Sequence, residues 1–326
     1  MAKKEKANKE KANKEKANKE KASKDKASKD KASKDKASKD KASKADVVRA
    51  AAKKASSGKS KVAKSKYSDV IVEKKGQIAW ITLNRPDRYN AVDANSFREL
   101  NLAFRECGED GGIGVVVLTG AGDKAFCSGG FLKDLANFDI GMGRKLFNHA
   151  EDLINTMRRI PQPIIGAVNG YAVGGGNELV IACDLAIAAD NARFGQTGPR
   201  IGSSPIFGAN NLLAMTIGEK RAREVCYLNR LYTAQQAYDM GWVNKVVPLK
   251  DLKTEVTAWA EELLDRSPAY LEITKINSNV WWDMLQPANE HAKQVLIRLA
   301  GGPEMTEGAS AFMEKRKPNF RQFRKS

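Results

Sequence analysis

Two segments of this chain carry glycines where chemistry could follow: KAFCSGGF (124–131) and NGYAVGGGNEL (169–179). A glycine ahead of a helix lets the backbone approach a ligand closely. It also leaves the first N–H groups of the helix unpaired. Two such groups aimed at one point make an oxyanion hole, helped by the positive end of the helix dipole. The plainer reading is that these glycines only turn the chain after strands, and spacing alone does not separate the two. Glu178, beside the triple glycine Gly174–Gly176, reads either as a dipole-stabilised helix carboxylate or as a proton-transfer group.

Other chemistries lose their usual signals. Neither a GxxxxGK[ST] phosphate loop nor a GxGxxG fingerprint occurs, which removes the sequence case for nucleotide hydrolysis and dinucleotide binding. Cys107, Cys127, Cys183 and Cys226 form no CxxC pair, and His149 and His291 are the only histidines. No metal site is expected, and the cysteines read as small core residues in a reducing compartment. Asp184 and Asp190, at strand ends, read as structural. No apolar run approaches the roughly 20 residues of a membrane span. The N-terminus has no apolar signal core, and its acids do not suit a transit peptide. A cytoplasmic protein is expected.

The elements that must position the glycines follow from periodicity. Residues 69–73 (DVIVE) and 77–83 (QIAWITL) read as a hairpin. After the loop NRPDRYNAV, Asp93 caps a helix with Phe97, Leu100, Phe104 and Cys107 at helical spacing. GIGVVVLTG (112–120) and PIIGAVNG (163–170) are strands buried on both faces, with a helix over 142–158 between them. NELVIAC (177–183) reads as a short buried helix and DLAIAA (184–189) as a strand. Helical patterns then cover 219–230, 233–241, 250–265, 267–278 and most of 289–315. The alternation predicts an α/β fold of repeated ββα units with a C-terminal helical region.

Composition divides the chain. It has 326 residues and a formal net charge of +17, yet residues 1–66 hold 25 Lys and Arg against 9 Asp and Glu. The remaining body is therefore nearly neutral. From Lys6 the units KANKE and then KASKD repeat every five residues to about Lys44. Five residues advance a helix by about 500°, so no face persists and nothing drives burial. Residues 1–66 are expected to be a disordered tail, either a solvated segment that aids solubility or one that attaches weakly and nonspecifically to nucleic acid, an anionic membrane or an acidic partner. No aromatic residue precedes Tyr67, so base stacking is not available to it. The body divides into 67–265, a core, and 266–326, a helical oligomerisation region.

WITLNRPDRYNAV, GDKAFCSGG, PIIGAVNGYAVGGGNELVIACDLAIAADNARFGQ and AFMEKRKPNF together resemble the enoyl-CoA hydratase/isomerase (crotonase) superfamily over about residues 67–326. ADNARFGQTGPRIGS and MTEG…EKRKPNF are most similar to the branch containing 1,4-dihydroxy-2-naphthoyl-CoA synthase, 2-ketocyclohexanecarboxyl-CoA hydrolase and 6-oxocyclohex-1-ene-1-carbonyl-CoA hydrolase. The resemblance implies a crotonase fold and an acyl-CoA substrate whose thioester oxygen lies between the N–H groups of Gly130 and Gly175. It implies acid–base work for Glu178 and no permanently bound cofactor, coenzyme A being part of the substrate. Arg88 and Ala91 would contact the coenzyme, and Phe312 and Lys315 its adenine end from a neighbouring subunit. A homotrimer or a dimer of trimers is expected.

The sequence also departs from its relatives. The second glutamate of the hydratases would fall at Gly198, a position that is also glycine in the naphthoyl-CoA synthases. Those synthases, however, lack the glutamate that stands here at Glu178. Pro205 replaces a synthase aspartate, in a loop one residue shorter. The vacated volume beside Gly198 is expected to hold water or bicarbonate, with Gln196, Thr197 and the Gly198 N–H around it. Ser203 and Phe131 complete the expected acyl pocket. The expected reaction is hydration of an α,β-unsaturated, linear or cyclic enoyl-CoA. The alternatives are ring-opening hydrolysis of a cyclic keto-acyl-CoA, a naphthoyl-CoA synthase-like lyase, and a silent binding protein.

Overall fold

The computed structural model describes residues 66–130 and 138–324. The expectations for the Lys-rich tail, which reach only Lys66 of this range, and for Phe131 lie outside the described residues. In chain order come β1 (Val70–Lys75), β2 (Ile78–Leu83), α1 (Ala94–Glu109), β3 (Val115–Gly120), β4 (Ala125–Cys127) and α2 (Ile140–Arg159). β5 (Ile164–Val168), β6 (Tyr171–Val173), α3 (Gly175–Ala182), β7 (Leu185–Ala189) and β8 (Arg193–Gly195) follow. Then come α4 (Asn211–Ile217), α5 (Glu219–Leu228), β9 (Tyr232–Thr233), α6 (Ala234–Asp239) and β10 (Lys245–Val247). The chain continues with α7 (Leu252–Leu264), α8 (Pro268–Ser278), α9 (Val280–Arg298) and α10 (Pro303–Met313).

The larger sheet has the order β1-β2-β3-β5-β7-β10. β1 and β2 form the predicted antiparallel hairpin, in register from Val70↔Leu83 to Lys75↔Ile78, and the remaining neighbours are parallel. Alternation along each strand explains the continuous apolar runs. Val116, Leu118, Ile164 and Val168 join Leu100 and Phe104 of α1 and Leu153 and Met157 of α2 in one core. Val115, Val117, Ile165 and Ala167 meet Leu252, Val256 and Ala260 of α7 on the other face. A parallel sheet covered on both sides has no polar face to show.

A second sheet, β4-β6-β8-β9, is built from strands of two or three residues. β4, β6 and β8 run parallel, while β9 is antiparallel to β8. After the β1-β2-α1 unit, whose strands both lie in the larger sheet, the units β3-β4-α2 and β5-β6-α3 each send one strand to each sheet before the helix.

The C-terminal helices pack on the rest of the same chain. Trp282 Nε1 of α9 donates to Asn155 Oδ1 of α2 at 3.1 Å, and buried Lys293 is ion-paired with Glu151 and Glu290. The helix expected over 289–315 is broken at Gly301, whose φ of +74° ends α9 and lets α10 turn back. Among the described residues no helix is long and apolar enough to cross a membrane.

Candidate active site

Three neighbouring strands of the small sheet end side by side, and each delivers one part of the site. After β4 the chain turns at Gly129, with φ +93°, into Gly130. After β6 it turns at Gly174, with φ +57°, into Gly175 and α3. After β8 it runs through Gln196 and Thr197 into a 3-10 turn, Gly198–Ile201. Parallel pairing of β4 with β6 and of β6 with β8 holds the three turns together.

The contact between the first two turns requires glycine. A Cβ on Gly129 would lie 2.8 Å from Val173 O and 3.3 Å from Gly175 N. One on Gly176 would lie 2.0 Å from Cys127 O, so α3 approaches β4 only because no side chain intervenes. The loop NRPDRYNAV fixes the first turn from the other side. Val92 N donates to Gly129 O at 2.9 Å and Ser128 N to Tyr89 O at 3.1 Å. That loop is itself anchored by Arg85, which is buried. Its Nη1 pairs with Asp93 at 2.7 Å and donates to Ala91 O at 2.9 Å. Asn90 Nδ2 bonds Ala121 O at 3.0 Å and Ala125 O at 2.7 Å. Neither the Gly130 nor the Gly175 N–H has a hydrogen-bond acceptor among the described residues.

Gly130, Gly175, Glu178, Gln196, Thr197, Gly198 and Ser203 all line one cavity of about 420 Å³. Most of its remaining wall is apolar, with Phe97, Leu146, Phe147, Ile206 and Phe207 contributing. Burial in these surroundings pushes the Glu178 carboxyl up to about 8, while the Ile206 N–H, donating to Oε1 at 3.0 Å, pulls weakly the other way. Asp93 also lines the cavity, but its backbone hydrogen bonds and Arg85 hold it below the usual carboxylate range despite burial. Glu178 is thus the carboxyl suited to carry a proton at neutral pH. The four cysteines are buried thiols, and burial pushes Cys127, under the first turn, up to about 12. Thiolate chemistry at neutral pH is correspondingly disfavoured there.

Gly198 lines the cavity, but the direction a side chain would take from it is occupied. A Cβ there would lie 2.9 Å from Pro205 N, Pro205 Cδ and Ser204 C. A larger side chain at this position would need the Ser204–Pro205 backbone to move, while the cavity stays open beside Gln196, Thr197 and Gly198. The coenzyme-end residues do not line the cavity. Arg88 is half-exposed on a short turn with Asp87 at 3.5 Å, and Ala91 is buried with its carbonyl held by Arg85. Phe312 and Lys315 lie in a separate groove of about 720 Å³ with Arg200 and Phe320. Asp184 and Asp190 are structural. Asp184 pairs with Lys275 at 2.8 Å, and Asp190 Oδ1 accepts Leu249 N at 3.2 Å.

Sequence reasoning missed Phe138 just before α2, Met142, Leu146 and Phe147 within it and Met305 on α10, all of which line the cavity. Only the amphipathic spacing in α2 hinted at them. Among the described residues no group of His, Cys, Asp and Glu could hold a metal ion.

Paired sheets in a ββα spiral, with two glycine turns meeting over a buried carboxyl, define a protein of the crotonase fold. The chain belongs to the enoyl-CoA hydratase/isomerase family, whose sequence profile matches residues 73–324. It is 31% identical to carnitinyl-CoA hydratase from Mycobacterium avium, over 78% of this chain and 98% of that one, with a TM-score of 0.70. An enoyl-CoA hydratase from Bacillus anthracis is 31% identical over 77% and 98% of the two chains, with a TM-score of 0.64. One from Mycobacterium avium subsp. paratuberculosis is 27% identical over 78% and 99%, with a TM-score of 0.69.

Proposed function

We propose that this protein adds water across the double bond of an α,β-unsaturated acyl-CoA. The observation that carries the reading is a buried carboxyl, Glu178, in one cavity with two glycine N–H groups that have no acceptor among the described residues. The thioester oxygen sits between the N–H groups of Gly130 and Gly175. Ionised Glu178 takes a proton from water as the oxygen adds to the β-carbon, and negative charge moves to the thioester oxygen as an enolate. The two N–H donors stabilise that charge, each by about 2.7–4 kcal/mol. Glu178 then returns its proton to the α-carbon, so the product contains the substrate plus one water. A carboxyl raised to about 8 is a stronger base than an ordinary glutamate and still able to give the proton back.

Water is the co-substrate in this reading, since Glu178 already supplies a base, and bicarbonate seated beside Gln196, Thr197 and Gly198 is the alternative. Arg88, with Ala91 beside it, belongs to the coenzyme path, and Phe312 and Lys315 serve its adenine end in a homotrimer or dimer of trimers. A second reading is ring-opening hydrolysis of a cyclic keto-acyl-CoA. It is favoured by Glu178 being the one glutamate on the cavity wall among the described residues. Incubation with linear and cyclic enoyl- and keto-acyl-CoA thioesters, followed by mass analysis, tests both. Gain of one water from the enoyl esters, with the ring intact by NMR, is the expected result. Products unchanged in mass across the panel would remove both readings.

A further inference from the structure

We propose that Met305, carried by the C-terminal helix α10, sets the size of the acyl group that the cavity accepts. This rests on the acyl-CoA reading of the cavity and adds the residue that selects among acyl groups. Phe138, Ala300 and Met305 form a small apolar cluster apart from the two main cores, with Leu146 and Phe147 packed against it. All of these except Ala300 line the cavity. The cluster therefore serves as cavity wall in addition to packing α10 onto α2.

The mount is tight. A Cβ on Gly202 would lie 2.3 Å from Glu304 O and 2.6 Å from Met305 Cα, and one on Gly308 would lie 2.3 Å from the Ile201 carbonyl carbon. A Cβ on Gly143 would lie 2.8 Å from Ala300 Cβ. The backbone around Met305 is already at closest approach on these sides, so a shortened side chain cannot be compensated by inward movement. Met305 Sδ also accepts the Gly301 N–H at 3.4 Å, tying the side chain to the α9–α10 turn. Trimming this side chain enlarges the cavity, and a bulkier ring fills it. A methylene more or less in an apolar pocket changes discrimination by roughly 10–200-fold.

The test is calorimetric binding of saturated acyl-CoAs, from butyryl to decanoyl and including cyclohexanecarbonyl, to the full chain and to Met305→Ala, Met305→Leu and Met305→Phe. Met305→Ala is expected to shift the octanoyl-to-butyryl affinity ratio at least tenfold toward octanoyl. Met305→Phe shifts it the opposite way, and Met305→Leu stays within threefold of the parent. If Met305→Ala fails to fold, the Leu and Phe variants decide. Equal ratios in all folded variants would overturn the proposal. Because the readout needs no turnover, shifted ratios without hydration would defeat the hydratase reading alone. Hydration with unmoved ratios would defeat this one alone, and absence of binding by every thioester would defeat both.

Discussion

The backbone N–H of Ile206 donates to Glu178 Oε1 at 3.0 Å, the carboxyl's one hydrogen bond among the described residues. The bond reaches from the loop after the Gly198–Ile201 turn to the first turn of α3. It orients the carboxyl without supplying a charge, so burial dominates and the group stays uncharged below about pH 8.

The first consequence is a pH profile. If ionised Glu178 takes the proton from water, kcat/KM for an enoyl-CoA should rise about tenfold per pH unit up to about 8 and then level. Glu178→Gln should lower kcat by at least about 10²-fold and erase that limb. Stopped-flow rates between pH 5.5 and 9.5 check it, and a profile already flat at pH 6 would remove Glu178 as the base.

The same carboxyl acts on stability with a defined sign. Its folded value lies above the unfolded one of about 4.5, so the folded state holds the extra proton between these values. Stability is full below about pH 4.5, falls as pH rises toward 8 and is constant above. The loss is on the order of 3–5 kcal/mol, from 1.36 kcal/mol per tenfold displacement. Glu178→Gln keeps the acceptor for Ile206 and removes the loss. Its melting temperature should match the parent near pH 5 and exceed it by several degrees at pH 8.5.

Neighbouring glycines should behave differently. A Cβ at Gly130 meets nothing within 4 Å among the described residues, whereas Gly129 combines φ +93° with a contact to Val173 O. Gly130→Ala should melt within about 2 °C of the parent yet lose at least about tenfold in kcat/KM, because the methyl enters the cavity. Gly129→Ala should melt more than about 5 °C lower. Differential scanning calorimetry beside initial rates separates the two effects.

Restoring the missing glutamate should not restore a second catalytic group. Gly198→Glu drives a Cβ to 2.9 Å from the Ser204–Pro205 backbone, so the loop must move. The expected outcome is a lower melting temperature with no gain in rate. A faster, equally stable variant would show that the loop yields easily.

Removing residues 1–65 takes away most of the chain's net positive charge. Activity on the same thioester should be unchanged, and if the tail binds nucleic acid, the full chain's salt-sensitive retention on immobilised DNA should disappear. Equal retention of the full and shortened chains would place nucleic-acid binding in the body.

By itself the sequence determined five of the six strands of the large sheet and its covering helices, and only the short β10 escaped it. Strand alternation and helical spacing are local signals, and the Asp93 cap stood where its side chain meets the N–H groups of Asn95 and Ser96. It also pointed to Gly130, Gly175 and Glu178, although only the family resemblance singled them out from glycines that merely turn the chain. The small sheet left no readable period, since strands of two or three residues are too short to show alternation. Yet it is the pairing of β4, β6 and β8 that brings Gly130, Gly175 and Thr197 around one cavity. Only the tertiary structure put Met305 on that cavity's wall, closed the Ser204–Pro205 loop over Gly198, and made Arg85 a buried anchor for the loop that carries Arg88. Each of these is a contact between segments distant along the chain, decided by which strand ends adjoin and how closely backbones pack, and periodicity does not encode that.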